Sequence, residues 1–129
     1  MNEFSNPKQV HPPLGAYSHT VKVPPNATWL ILSGQVGINA SGKLQTGLRR
    51  QAEQVFRNIL ACLRANRMKK EDLVKLVVYL TDSRFVEEYR AARAKVLGGD
   101  VLPASTLLVI DGLAHPDMLI EVEAWAAKG

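Results

Sequence analysis

The stretch TGLRRQAEQVFRNILACLRAN, residues 46–66, has the clearest structural pattern in the chain. Its apolar residues recur every three and four positions and so form one stripe along a helix. The members of the stripe are Leu48, Ala52, Val55, Phe56, Ile59, Cys62 and Leu63. Thr46 is suited to cap the start of this helix, and Asn66 is suited to end it in a left-handed conformation. A stripe of this kind is expected to cover one face of a sheet.

Strand patterns lie on both sides of this helix. They cover residues 17–23, 28–33, 73–81, 105–111 and 118–126. The first two strands are separated by the turn Pro24-Pro25-Asn26 and are expected to pair as a hairpin. The prolines before residue 17 predict an irregular lead-in. Residues 73–81 are rich in β-branched side chains, which predicts a central strand.

A second helix is predicted between Asp82, a suitable N-cap, and Gly98, a suitable stop. Its expected buried face consists of Phe85, Tyr89, Ala92 and Val96. Its late basic residues suit the helix dipole and are interpreted as solvated charges; they are Arg90, Arg93 and Lys95.

The element order β-β-α-β-α-β-β predicts an α+β fold in which both helices cover one face of a single mixed sheet. The chain length predicts one domain over residues 1–129. The strand over residues 105–111 carries apolar side chains on both faces, with Leu107 on one side and Leu108 on the other. Because the helices cover only one sheet face, the second apolar set needs a partner, and a symmetric oligomer provides one.

The composition is that of a globular protein, with 47% hydrophobic and 22% charged residues. No apolar run approaches the roughly 18 residues of a membrane span, and residues 1–4 do not begin a signal peptide.

The one cysteine, Cys62, cannot form an internal disulfide, and a cytoplasmic location is expected. The net charge of +4 is spread over separate elements without interleaved aromatic residues, so nucleic-acid binding is not expected.

Two carboxylates stand out near the end of the chain. Glu121 and Glu123 are two residues apart on a predicted strand, so both lie on one face, flanked by Leu119 and Trp125. A carboxylate in apolar surroundings is suited to proton transfer or to holding a water. The alternative is the solvent face of an edge strand.

Gly34 follows Ser33 at the end of the second predicted strand. A glycine there lets the backbone approach a ligand, and its N–H can bind an oxyanion or a carboxylate. The alternative is an ordinary bulge. The histidines are isolated and nucleotide-binding motifs are absent, so neither a metal nor a cofactor is predicted.

Several segments together point to one family: GAYSH (15–19), LSGQV (32–36), QAEQVFRNI (51–59), VKLVVYLT (74–81), PAST (103–106) and LIEVEA (119–124). In this order and spacing they resemble the RidA/YjgF family, the reactive intermediate deaminases. The resemblance implies a chorismate-mutase-like fold and a homotrimer whose sheets pack into a barrel, with ligand clefts between subunits. Members with the full motif hydrolyse enamines and imines, such as 2-aminoacrylate, to 2-keto acids and ammonia without a cofactor.

The resemblance also assigns roles to residues of this chain. Tyr17 matches the cleft tyrosine. Ser33 and Gly34 match the Ser-Gly pair that lines the cleft. Glu121 matches the acidic residue that orients the attacking water.

Two positions depart from the family pattern. Ser105 stands where the deaminases have the arginine that holds the substrate carboxylate, and Tyr89 stands where many have asparagine. A hydroxyl does not replace an arginine fork, and one charge-assisted hydrogen bond contributes on the order of 1.5–3 kcal/mol. Efficient deamination of 2-imino acids is therefore not expected.

Three functional hypotheses follow. The first is a homotrimer that binds or acts on a small metabolite in a cleft between subunits and hydrolyses an enamine or imine without needing the arginine. The second is a non-catalytic module that binds a small carboxylate through the Gly34 N–H and the hydroxyls of Ser105 and Thr106. The third, RNA cleavage, is the least supported, because the chain has no basic groove and no histidine pair.

Overall fold

The computed structural model describes residues 1–129. The strands are β1 (Glu3–Ser5), β2 (Thr20–Lys22), β3 (Thr28–Val36), β4 (Leu73–Leu80), β5 (Ala104–Val109) and β6 (Ile120–Lys128). The α-helices are α1 (Leu48–Ala65) and α2 (Val86–Leu97), and short 3-10 turns, Lys70–Asp72 and Ser83–Phe85, precede β4 and α2. β1 and β2 form a small sheet, and the other strands form the main sheet in the order β3-β6-β4-β5.

The main sheet is mixed. β4 and β5 are parallel, whereas β6 is antiparallel to both of its neighbours, β3 and β4. A parallel pair needs a crossover connection, which α2 supplies between β4 and β5. Both helices bury side chains in the same core as the sheet. The predicted arrangement of two helices on one face of a mixed sheet is therefore confirmed.

The apolar stripe of α1 is the centre of the core. Phe56 and Ile59 are fully buried and belong to one cluster with Leu76 of β4 and Val122 of β6. Burying a side chain of this size contributes about 1.5–3 kcal/mol. Buried and half-buried residues alternate along β6, because successive side chains of a strand point to opposite faces. The half-buried set of β6 therefore lies on the face away from the helices.

The predicted hairpin of the first two strands is wrong. The predicted irregular lead-in is wrong only at Glu3–Ser5, which form β1. β2 pairs with β1, with Phe4 opposite Val21, whereas β3 pairs with the C-terminal strand β6. Pro24 and Pro25 lie in the connection and lack the main-chain N–H groups that a hairpin would use next to its turn. Because β3 and β6 both lie against α1, packing brings these two strands together.

The predicted N-cap of α1 is wrong, whereas Asn66 ends the helix as predicted but without the left-handed conformation. The residue before the first turn is Gly47 rather than Thr46, and no side chain caps this end. Asn66 has a φ of −110°. The left-handed residue is Arg67, with a φ of 59°, so the helix ends one residue before the turn that reverses the chain.

The start of α2 differs from the prediction in one respect, and its end agrees. Asp82 caps the 3-10 turn that precedes α2, accepting a hydrogen bond from the N–H of Arg84 at 2.8 Å. Gly98, with a φ of 83°, ends the helix as predicted. Tyr89 is buried as predicted, but Arg93 is buried too and is not a solvated charge.

The face of the main sheet away from the helices, called the open face here, is rich in apolar side chains. Trp29 and Ile31 of β3 are 52% and 61% exposed, and Leu108 of β5 is 45% exposed. Their exposure agrees with the expectation that the second apolar set of the sheet lacks cover within one chain. No helix has the length and apolar content needed to cross a bilayer.

Candidate functional site

The carboxylates of β6 lie on the open face and differ in their partners. Glu121 and Glu123 alternate with the buried Val122, as their spacing predicts. Glu123 accepts a hydrogen bond of 2.6 Å from the hydroxyl of Tyr79. This bond, with burial and the charges of both carboxylates, raises the pKa of Tyr79 above its ordinary value. Glu121 makes neither a hydrogen bond nor an ion pair within the chain, so its oxygens are free for a water or a ligand.

Gly34 gives the Glu121 carboxylate its space. β3 continues past Ser33 to Val36, with a bulge that sets two of its residues, Ser33 and Gly34, against one of β6. A Cβ on Gly34 would lie 2.0 Å from Oε2 of Glu121. Any side chain at position 34 would therefore have to displace the Glu121 carboxylate.

Two side chains of α1 fix the ends of the strands that carry this pair. Asn58 donates hydrogen bonds from Nδ2 to the carbonyl of Val36 at 3.2 Å and to that of Ile38 at 2.9 Å. The buried Gln51 accepts a hydrogen bond from the N–H of Leu119 at 2.9 Å, just before β6 begins. A buried amide with such partners resists displacement, so both strands are held where Gly34 and Glu121 meet.

A cavity of about 400 Å³ lies elsewhere, between α2 and the edge strand β5. It is lined by residues 14–17, by one side of α2, and by Ser105 and Leu107 of β5. This cavity, called the α2 cavity below, thus brings together three predicted site residues: Tyr17, Tyr89 and Ser105. It does not include Ser33, Gly34, Thr106 or Glu121.

Sequence reasoning missed two residues of the α2 cavity, Arg90 and Arg93. Arg93 is only 6% exposed and donates to the carbonyls of Ala16 and, at 3.0 Å, Val101. The signal that could have found it is its spacing, because residues four apart on a helix share a face and Tyr89 was expected to be buried. A buried guanidinium beneath the cavity makes its potential positive.

The Tyr89 hydroxyl is enclosed within the protein, although Tyr89 is one of the residues that line the α2 cavity. It is buried and has no hydrogen-bond partner, although Arg93 and Ser105 are near enough to affect its ionisation. Burial raises the pKa of Tyr89 above its ordinary value, and the two neighbours offset this only in part. The hydroxyl therefore keeps its proton at neutral pH.

Ser105 and Thr106 face opposite sides of the sheet. Ser105 pairs in register with the fully buried Leu76, so it lies on the helix side. Thr106 pairs in register with Val77 and accepts a hydrogen bond of 2.9 Å from Nζ of Lys75. In one chain these hydroxyls do not converge on one ligand, because neighbouring residues of a strand point to opposite faces.

The α2 cavity and the Gly34–Glu121 pair form two separate half-sites. β3 and β5 are the two outer strands of the main sheet, with β6 and β4 between them. Strands are spaced at about 4.8 Å, so these edges are about 14 Å apart. Glu121 also lies on the open face, whereas Ser105 lies on the helix side. One chain alone does not bring the two half-sites into contact.

No cluster of three or more histidine, cysteine, aspartate or glutamate side chains could hold a metal ion. The prediction that the histidines are isolated is wrong for His11 and His19, whose ring centroids are 5.0 Å apart because the fold brings the two loop segments together. Both residues are exposed or half-exposed. Nε2 of His19 lies 2.6 Å from the carbonyl of His11. Cys62 is half-buried against the core.

Comparisons with protein families, with curated proteins and with solved structures all point to the same group of proteins. The model of the family described as endoribonuclease L-PSP matches residues 8–128. A RutC family protein of Aquifex aeolicus is 39% identical over 89 residues, which is 68% of each chain. The crystal structure of the Rid-family protein YyfB of Yersinia pestis superimposes with a TM-score of 0.88, at 28% identity and 98% coverage of both chains. A Dermatophagoides farinae protein named 2-iminobutanoate/2-iminopropanoate deaminase is 36% identical over 70 residues, 53% of this chain and 52% of its own.

Proposed function

We propose, given that this chain belongs to the RidA/YjgF (RutC, endoribonuclease L-PSP) family, that it is a cofactor-free hydrolase of a small enamine or imine. Its site would lie between subunits of a homotrimer, each a single domain of residues 1–129. The observation that carries the proposal is the free carboxylate of Glu121 held against Gly34. The deaminase name of the Dermatophagoides relative supports the same class of reaction.

The separation of the half-sites supports a site between subunits. The open face of one chain leaves Trp29 and Ile31 52% and 61% exposed. Covering the exposed part contributes roughly half of the 1.5–3 kcal/mol that burying a whole apolar side chain contributes. If copies pack through this face around a three-fold axis, the β5 edge of one chain can approach the β3 edge of the next. The Glu121 carboxylate of one subunit would then face the α2 cavity of its neighbour.

The chemistry uses water and one carboxylate. Water bonds through its oxygen to the imine carbon while Glu121 takes one of its protons and passes it to the nitrogen. Glu121 then carries the hydroxyl proton of the resulting carbinolamine to its amine nitrogen; the C–N bond breaks, ammonia leaves, and the C–O bond becomes a carbonyl. An enamine enters the same path by tautomerising to its imine. Atoms balance with water as the only co-reactant.

Glu121→Gln tests the proposal. The probe is 2-aminoacrylate, generated in the assay from serine by a serine dehydratase, with pyruvate formation followed above the buffer rate. We expect the wild-type chain to accelerate this step only modestly, because Ser105 stands where the deaminases have an arginine. The variant is expected to lose that acceleration. Glu123→Gln is the matched control, because Glu123 is already held by Tyr79. Equal turnover by wild type and Glu121→Gln would refute the role of Glu121.

A non-catalytic binding module is the second candidate. The observation that favours it is Ser105, which contributes a hydroxyl to the α2 cavity where related deaminases have a guanidinium. In that case the wild-type chain would leave the rate of 2-aminoacrylate hydrolysis at the buffer value. It would still bind the keto-acid product, which titration calorimetry with pyruvate measures.

A further inference from the structure

The segment before β2 brings two histidines together. The rings of His11 and His19 have centroids 5.0 Å apart and planes at 81° to each other. Neither histidine lines the α2 cavity, and the hydrolysis proposed above uses neither of them. We propose that these two residues, called the His11–His19 pair below, bind one exchangeable divalent transition-metal ion, copper(II) most tightly, and that the ion fixes the loop between them.

Hydrogen bonds determine which ring nitrogen of each histidine is available. Nδ1 of His11 lies 2.8 Å from the carbonyl oxygen of Pro12, and Nε2 of His19 lies 2.6 Å from that of His11. A carbonyl oxygen only accepts, so these two nitrogens carry the ring hydrogens. The other nitrogen of each neutral ring then has a lone pair and no hydrogen-bond partner in the chain. Metal-binding histidines have this arrangement, because their second ring nitrogen usually donates to a carbonyl or carboxylate oxygen.

The spacing of the rings suits one shared ion. A metal–nitrogen bond of about 2.1 Å puts each ring centroid about 3.2 Å from the ion, and a tetrahedral angle then sets the centroids about 5.2 Å apart. The observed separation is 5.0 Å. Because both residues are exposed or half-exposed, small rotations of the rings can aim both lone pairs at one point.

The ligand set indicates the kind of ion and its mode of binding. Imidazole nitrogens favour copper, nickel and zinc over magnesium and calcium, and the affinity of such ligands is highest for copper(II). No third histidine, cysteine or carboxylate completes a cluster with the His11–His19 pair. Water therefore fills the remaining coordination positions at this surface, and the ion exchanges with solvent.

The His11–His19 pair closes a loop whose middle, residues 14–17, lines the α2 cavity. Within the loop, the N–H of Leu14 donates to the hydroxyl oxygen of Tyr17 at 3.1 Å. At its end, the N–H of His19 donates to Oδ1 of Asn6 at 2.8 Å. An ion shared by both rings would join the two ends of the loop and reduce its conformational freedom. One wall of the α2 cavity would thereby be fixed.

Titration of the full chain with copper(II) chloride tests the ion site, with magnesium chloride as the probe that should not bind. We expect saturable binding of one copper(II) ion per chain, with electron paramagnetic resonance showing two imidazole nitrogens on the ion. His11→Gln and His19→Gln are each expected to weaken binding about 10- to 100-fold and to leave one imidazole on any bound ion. His115→Gln is the matched control, because this histidine lies in another turn, where its Nδ1 accepts from the N–H of Asp117 at 3.1 Å.

Amide hydrogen exchange tests the effect on the loop. Exchange at residues 14–18 is expected to slow when copper(II) is added to wild type and to stay unchanged in His11→Gln. Equal exchange with and without the ion would overturn the fixing of the loop.

Three results would overturn the ion site. They are no saturable binding by wild type, equal affinity in wild type and both single variants, and the same loss of affinity in His115→Gln. A spectrum with one imidazole nitrogen in wild type would mean an adventitious ion only and would also overturn it. None of these measurements depends on turnover of 2-aminoacrylate, so the ion site and the proposed hydrolase stand or fall separately.

Discussion

Gly34 and the carboxylate of Glu121 occupy adjoining space, with Oε2 of Glu121 only 2.0 Å from the point where a Cβ on Gly34 would lie. The φ of Gly34 is not in the left-handed region, unlike those of Gly42, Gly47 and Gly98. The glycine is therefore required for space and not for backbone conformation. Because the atom it would meet ends a flexible side chain, a larger residue would move Glu121 before it disturbed the sheet.

Gly34→Ala is expected to damage hydrolysis much more than folding. The methyl group displaces the Glu121 carboxylate, and a shift of about 1 Å at a reacting group can cost on the order of 10²-fold in rate. Turnover of 2-aminoacrylate and a thermal melt measure the two effects separately. Gly112→Ala is the control, because a Cβ there has no neighbour within 4 Å. A Gly34→Ala protein with wild-type turnover would contradict the assigned role of the glycine.

Tyr79→Phe is expected to change how stability depends on alkaline pH. The hydrogen bond to Glu123 raises the pKa of Tyr79 above its ordinary value of 10.0. In the unfolded chain the phenol loses its proton at the ordinary pKa, so the folded state holds the proton to a higher pH. The stabilisation is complete below about pH 10 and is lost as the pH rises through the raised pKa.

Urea unfolding of wild type and Tyr79→Phe at pH 8 and at pH 11 measures this effect. The advantage of wild type at pH 8 is expected to shrink at pH 11. The pKa of Tyr89 is also raised, by burial, but Tyr89 is present in both proteins and cancels in the comparison. A difference between the proteins that stays constant from pH 8 to pH 11 would argue against a hydrogen bond that needs the neutral phenol.

Ile31→Asp is expected to dissociate the proposed trimer. Ile31 is 61% exposed in one chain, and burying a charge against an apolar neighbour is costly unless it is paired. Light scattering after size exclusion should give the mass of three chains for wild type and a smaller mass for the variant. Val10→Asp, at an exposed apolar residue outside the main sheet, should leave the mass unchanged. A wild-type chain that is monomeric at micromolar concentration would remove the basis for a site between subunits.

Local sequence pattern predicted both helices, every strand except β1, and part of the site. The apolar period of α1 places Phe56 and Ile59 in the core, and period two places Glu121 and Glu123 on one face. Both follow from backbone geometry within a few residues, which sequence spacing encodes directly. The difference between the two carboxylates does not follow from spacing, because Tyr79, the partner of Glu123, comes from another strand.

The pairing of the strands could not be predicted from local sequence pattern. β2 and β3 are adjacent in sequence, and the turn at Pro24 suggested a hairpin, but β3 pairs with β6, about a hundred residues away along the chain. Two strands can pair when one helix packs against both of them, and α1 packs against both β3 and β6. A short-range turn signal carries no information about that choice.

The sequence alone determined the order of helices and strands after β1, the shared face of the two carboxylates, and the absence of a strand-borne arginine at Ser105. Only the tertiary structure decided where positive charge lies. Arg93 shares a helix face with Tyr89, but this spacing does not say which strand the face meets. The crossover from β4 to β5 lays that side of α2 over Ser105 and Tyr17. Long-range packing decides which face of a helix meets which strand. The spacing of residues along a single helix does not carry that information.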